Sequence, residues 1–156
     1  MNKLEYLVIH CTATEQGREV TPQEIKNWHT LPKPRGNGWK RVGYTDMIDL
    51  KGNLHNLHPF NSDEYVDPWE VTNGASGYNG VSRHIVYVGG LINGKSADTR
   101  TKEQIEALMT YCKYMVLRYP DIKICGHGDF PNTNKTCPNF NVLEFLQHFG
   151  LENNYI

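Results

Sequence analysis

The sequence has almost no charge excess. Its 156 residues carry 16 Lys and Arg against 17 Asp and Glu, a formal net charge of -1. A general nucleic-acid binder shows a basic face or stripe, so the balance argues against that class while leaving room for a local patch. No apolar run approaches the roughly 18 residues of a membrane span, so no membrane partner is expected. The stretch from Met1 to Tyr6 lacks the apolar core of an export signal and passes straight into a strand pattern. The protein is therefore expected to be made in the cytoplasm without a signal peptide. Internal repeats, low-complexity tracts and interdomain linkers are missing too. Four cysteines are present, but no pair has CxxC spacing, which argues against a redox motif or a zinc ribbon. Without an export signal a disulfide framework is not expected either.

What remains is an ordinary globular composition, 38% hydrophobic and 21% charged. A chain of this length buries roughly 68–70% of its unfolded surface, enough for one domain without staples. Leu4 to His10 is apolar and β-prone, a buried strand ending near His10. Thr21-Pro22-Gln23-Glu24 has the form of a capping box with proline at the first helical position, and Ile25, Trp28 and His29 share one face of the helix it opens. Strand character returns over Val42–Leu50, turns at Lys51-Gly52 and comes back over Asn53–Leu57 as a hairpin. His58 to Asn79 is expected to be a long structureless connection, a length more typical of a binding loop than of a passive linker. Val81–Val88 predicts a strand closed by Gly89-Gly90. Thr101-Lys102-Glu103-Gln104 repeats the capping-box pattern before the longest apolar stripe, Ile105, Leu108, Met109, Cys112, Val116 and Tyr119, which Pro120 stops. Asp121–Cys125 is a short strand, and Asn141 caps a last helix that Gly150 ends. The expected class is α/β, a single domain with a central mixed β-sheet flanked by about three helices.

Chemistry concentrates in a few residues. His10 ends a buried strand, and His127 follows a second strand between two glycines, in Cys125-Gly126-His127-Gly128-Asp129. Cys137 stands in the polar run Asn134-Lys135-Thr136-Cys137-Pro138, where a cysteine is used for its sulfur rather than for packing. Two histidines and one cysteine are a known set for a catalytic zinc ion with an open fourth position. Spacing alone leaves two readings open, this metal site or a polar strand cap and an unrelated loop histidine. His29 and His148 are expected to serve packing or surface roles, His55 and His58 to lie at the surface, and His84 to be a satisfied strand histidine. Tyr44 is by itself an aromatic strand residue. Lys135 is a solvated loop lysine, or, beside a metal, a fixed cation for a developing oxyanion. The run Gly74-Ala75-Ser76-Gly77 has no Walker lysine and opens no helix, which argues against a phosphate cradle.

These residues carry a resemblance. The chain resembles the type 2 N-acetylmuramoyl-L-alanine amidases, above all the small single-domain phage lysozymes related to the peptidoglycan recognition proteins. The matching segments run in order: Val8-Ile9-His10-Cys11-Thr12-Ala13-Thr14, Gly38-Trp39 with Val42-Gly43-Tyr44, Gly77-Tyr78-Asn79, Val88-Gly89-Gly90, Gly126-His127-Gly128-Asp129 and Lys135-Thr136-Cys137-Pro138. They span the chain from about Leu4 to Phe149.

The resemblance implies a zinc cofactor held by His10, His127 and Cys137, with Tyr44 and Lys135 completing the catalytic centre. It implies a mixed sheet packed by helices under a groove. The implied reaction is hydrolysis of the amide between the lactyl group of N-acetylmuramic acid and the L-alanine of the stem peptide. Residues 1–156 would then form one catalytic domain with no separate wall-binding unit, acting as a monomer on peptidoglycan after release or export by another system. Trp39, Thr45, Asn73, Tyr78 and Asn79 are the expected substrate contacts. The sequence also departs from the family pattern. Thr45-Asp46 stand where a histidine and an aromatic often follow the tyrosine. Asn73-Gly74 occupy the place of a frequent histidine, and Arg83-His84 replace an apolar-glycine pair. The alternative from another class is a peptidoglycan-binding module without catalysis, and the presence of Cys137 favours the enzyme.

Overall fold

Strand β2 (Tyr6–Cys11) is the axis of the structure. In a computed structural model describing residues 1–156, β2 pairs in parallel with β7 (Ser82–Tyr87) on one side and with β10 (Lys123–Gly126) on the other. Strand β4 (Asp46–Ile48) adds in parallel to β7, and β5 (Leu54–Asn56) closes the edge antiparallel to β4. The order β10-β2-β7-β4-β5 is a five-stranded mixed sheet, in agreement with the expected α/β class. Its central strands are buried along nearly their whole length, because both faces are covered.

The two faces carry different jobs. Leu7, Ile9, Ile48, Ile85, Tyr87 and Ile124 project to one side and join the largest apolar cluster, with Leu108, Cys112 and Met115 of α2 (Lys102–Arg118) and Phe145 and Leu146 of α3 (Val142–Gln147). The alternate residues of the same strands, Val8, His10, Met47, His84 and Val86, take the other side. There the apolar cover is thinner. Helix α1 (Pro22–Thr30) seats Ile25 against Met47, Val86 and Val88, and a small cluster of Val8, Ala75, Cys125 and Phe130 lies beside it. The polar residues of this face, His10 and His84, lie between those two clusters.

The helix starts form as the pattern predicts. Thr21 and Thr101 each accept the N–H three residues on and receive the side chain of Glu24 or Gln104 in return. Thr101 also donates to the Leu50 carbonyl at 2.9 Å, and fully buried Gln104 donates to the Val88 carbonyl at 2.9 Å, so the start of α2 is fastened to the sheet. Asn141 caps α3 by accepting from the Glu144 N–H at 2.9 Å. No helix is long and apolar enough to cross a membrane.

Three expectations need correction. Strand β4 is shorter than Val42–Leu50, because the Gly43 N–H donates to His29 Nδ1 at 2.9 Å rather than to a neighbouring strand. Residues 42–44 thus leave the sheet and cross over α1. The connection from His58 to Asn79 is not structureless. It contains β6 (Tyr65–Val66), which pairs with β1 (Asn2–Lys3), and a 3-10 turn over Pro68–Glu70. Buried Glu70 organises it by accepting the N–H groups of Asn61 and Asp67, each at 2.7 Å. After β7 the chain does not stop at Gly89-Gly90. It continues into β8 (Gly90–Ile92) and β9 (Lys95–Ser96), which form a three-stranded sheet with β3 (Thr14–Glu15).

Candidate active site

Register brings the histidines together. With Gly126 opposite Ile9, the next residue of the β10 strand, His127, falls beside His10, and their ring centres are 5.0 Å apart. Cys137 arrives on the loop that follows. That loop is held against the sheet by Tyr87, whose hydroxyl donates to the Pro138 carbonyl at 2.6 Å, and by Asn139, which donates to the Gly90 carbonyl at 2.8 Å. The Gly128 N–H donates to the Cys137 carbonyl at 2.8 Å. One ligand atom from each of His10, His127 and Cys137 lies within 4.8 Å of the others. This group can hold a metal ion.

The chemistry of the donors fits a cation. His10 Nδ1 lies 3.7 Å from Cys137 Sγ, while its other nitrogen is engaged elsewhere. Burial, with His84 and His127 beside it, lowers the His10 pKa well below the ordinary range, and burial with the Lys135 charge lowers that of His127. Both rings are therefore neutral, the form that binds metals. The adjacent Cys11 thiol and burial hold the Cys137 thiol well above its usual range, although the Cys11 N–H, at 3.3 Å, and Lys135 pull the other way. Protein groups alone leave Cys137 protonated, and a cation at this point is what would ionise it.

The cluster floors a cleft of about 320 Å³. Tyr44 and Lys135 line it, as do Trp39 and Asn73. Tyr44 packs between two imidazoles, 4.9 Å from His10 and 5.1 Å from His29 by ring centres, and the row continues from His29 to Trp39 at 4.9 Å. Burial, then the Cys137 and Cys11 thiols, raise the Tyr44 pKa, so its phenol keeps its proton. A larger groove of about 1050 Å³ lies on the opposite face between α2 and the β4–β5 hairpin, and it contains none of the metal-ligating group.

Of the other expected contacts, three are placed away from the cleft. Thr45 is 2% exposed, and its hydroxyl accepts the His84 N–H at 3.4 Å. Tyr78 stacks on Phe130 at 3.8 Å. The Asn79 side chain turns inward, accepting the Ala75 N–H and facing His84. None of the three lines the cleft. His29 exceeds its expected packing role, since it lines the cleft and holds Gly43. His84 is a satisfied strand histidine as expected, and one of its partners is His10 itself, at 2.9 Å. The visible signal was its parity. His84 lies opposite Val8 in the β2–β7 ladder, on the face that His10 shares.

The profile of the N-acetylmuramoyl-L-alanine amidase family matches residues 1–140, and the chain belongs to that family. Its enzyme class is accordingly N-acetylmuramoyl-L-alanine amidase. An endolysin of Enterobacteria phage T3 is 28% identical over 144 residues, covering 92% of this chain and 85% of its own. The amidase LysC of Clostridium intestinale superposes with a TM-score of 0.72 at 23% identity, over 96% of this chain and 87% of that one. Drosophila PGRP-LB superposes with a TM-score of 0.70 at 19% identity, over 97% and 84%. Both structures share the fold of this chain.

Gly128 tests how tightly the Cys137 loop must approach. A Cβ there would lie 2.1 Å from the Lys135 carbonyl oxygen and 3.3 Å from that of Cys137. Gly128→Ala is expected to push the loop outward and to weaken metal uptake on the order of 10–100-fold. Competition with a chelator measures the affinity, and an unchanged far-UV circular dichroism spectrum separates loop displacement from unfolding.

Proposed function

We propose that this protein hydrolyses the amide joining N-acetylmuramic acid to L-alanine in peptidoglycan, with zinc held by His10, His127 and Cys137, in the manner of a phage endolysin. The observation that carries the reading is the donor set itself: three ligand atoms within 4.8 Å at the floor of a cleft that Tyr44 and Lys135 also line. A binding-only module has no use for a thiol that only a cation would ionise. When bound, zinc supplies Lewis acidity toward the scissile carbonyl and makes a water nucleophilic near neutral pH.

The chain's own groups do the rest. Tyr44 keeps its phenolic proton and stands against His10, so it can donate a hydrogen bond to the reacting centre. The Lys135 charge reaches both His127 and Cys137. The same ammonium can stabilise negative charge developing on the amide oxygen. Trp39, 38% exposed, and Asn73 border the cleft and would meet the glycopeptide on either side of the cut. The chain acts as a single catalytic domain, as a monomer, on wall material that it reaches after release or export by other means.

Purified cell walls digested with the zinc-loaded protein should release stem peptides beginning with L-alanine and leave the glycan intact. Mass spectrometry reads the products, and new reducing sugar ends would contradict the assignment. Tyr44→Phe should bind zinc normally and lose turnover by roughly 10²-fold or more. Equal rates for the two proteins would remove the tyrosine from the mechanism.

A further inference from the structure

Behind His10 lies a chain of hydrogen bonds whose polarity can be deduced from its far end. The Ala75 N–H donates to Asn79 Oδ1 at 2.8 Å, which settles which atom of that amide is the oxygen. The same oxygen faces His84 Nε2 at 3.1 Å. An amide oxygen only accepts, so His84 Nε2 must carry the hydrogen. A neutral imidazole has one N–H, which leaves His84 Nδ1 bare. That nitrogen sits 2.9 Å from His10 Nε2, so His10 must donate there. His10 Nδ1 is then bare in its turn, and it is the atom that faces Cys137 Sγ.

The packing holds this arrangement in place. His84 is fully buried, and its hydrogen-bonding neighbours include no carboxylate. Its ring lies over the backbone of Gly74, where a Cβ would come within 2.4 Å of His84 Nδ1. No other residue at position 74 leaves room for the imidazole. From the other side Thr45 accepts the His84 backbone N–H. One residue from each of the three departing pairs, Thr45, Gly74 and His84, is thus brought together here, Gly74 under the imidazole and Thr45 on the backbone of His84.

We propose that His84, set by Asn79 and seated on Gly74, is a positioning residue that fixes the tautomer and ring plane of His10 so that Nδ1 offers its lone pair to the metal. The proposal rests on the reading of His10, His127 and Cys137 as a metal site. Groups behind a metal-bound histidine that fix its tautomer typically alter metal affinity 10–100-fold when removed.

The test uses the full chain with zinc as the probe and two readouts. Long-range ¹⁵N–¹H NMR of the zinc-free protein reports the His10 tautomer, and chelator competition reports the zinc Kd. In the parent protein His10 should be a single Nε2–H tautomer. His84→Leu removes the acceptor while filling the space, and it should give mixed His10 tautomers and a zinc Kd weakened about 10–100-fold. His84→Asn restores an oxygen near the place of Nδ1 and should recover the tautomer and most of the affinity. Asn79→Leu, which leaves the sheet side chains intact, should also mix the tautomers if His84→Leu fails to fold. The proposal is overturned if the parent binds zinc and either leucine variant keeps both its His10 tautomer and its Kd. A parent that binds no zinc overturns the metal reading and this proposal with it, and the two failures are thereby told apart.

Discussion

The site depends first on the parallel register of β2 between β10 and β7. That register sets His127 beside His10 and His84 diagonally across from it, on one face of the sheet. Ile9 and Ile85, one residue away from His10 and His84, point into the packed cluster under α2. A slip of one residue would exchange the faces, sending imidazoles into the core and isoleucines into the cleft. The apolar face therefore does more than stabilise the domain. Burial of Leu7, Ile9, Ile48, Ile85 and Tyr87 against α2 and α3 pins the register, and the register assembles the donors.

The opposite face bears the consequences of burying polar groups. An imidazole taken from water without a partner is costly, so each ring here has a defined neighbour. His29 accepts from Gly43, His84 faces Asn79, and His10 is tied to His84. Burial holds the His29 pKa down to about 4 and that of His84 to about 3, so both remain neutral hydrogen-bonding groups. A thiol and two bare or neutral nitrogens without a nearby carboxylate form an environment poor in negative charge until the thiol ionises. Together the three donors can hold one metal ion. Lys135 at the rim adds the only fixed positive charge that reaches the ligands.

Much of this was legible in the sequence because it rests on local rules. Both threonine capping boxes, the Asn141 cap, the buried strand before His10 and the long amphipathic helix needed only spacing and residue type. The ordered motifs around His10, Tyr44, His127 and Cys137 named a family that the profile match bears out. What stayed hidden depends on long-range partners. The shortening of β4 required His29 to claim the Gly43 N–H across 14 positions. The order within residues 58–79 required Glu70 to turn inward and β1 to pair with β6. Thr45 and Asn79 looked like substrate contacts because of their place beside motif residues, yet both point at His84. Sequence adjacency to a site does not say which way a side chain faces.

The proposed function stands on a metal held by two imidazole nitrogens and the Cys137 sulfur. Zinc K-edge X-ray absorption of the loaded protein tests it directly. The expected spectrum has one sulfur at about 2.3 Å and nitrogen ligands at about 2.0–2.1 Å. Substituting Cys137→Ser should remove the sulfur shell. A first shell of nitrogen and oxygen alone in the parent protein would contradict the account.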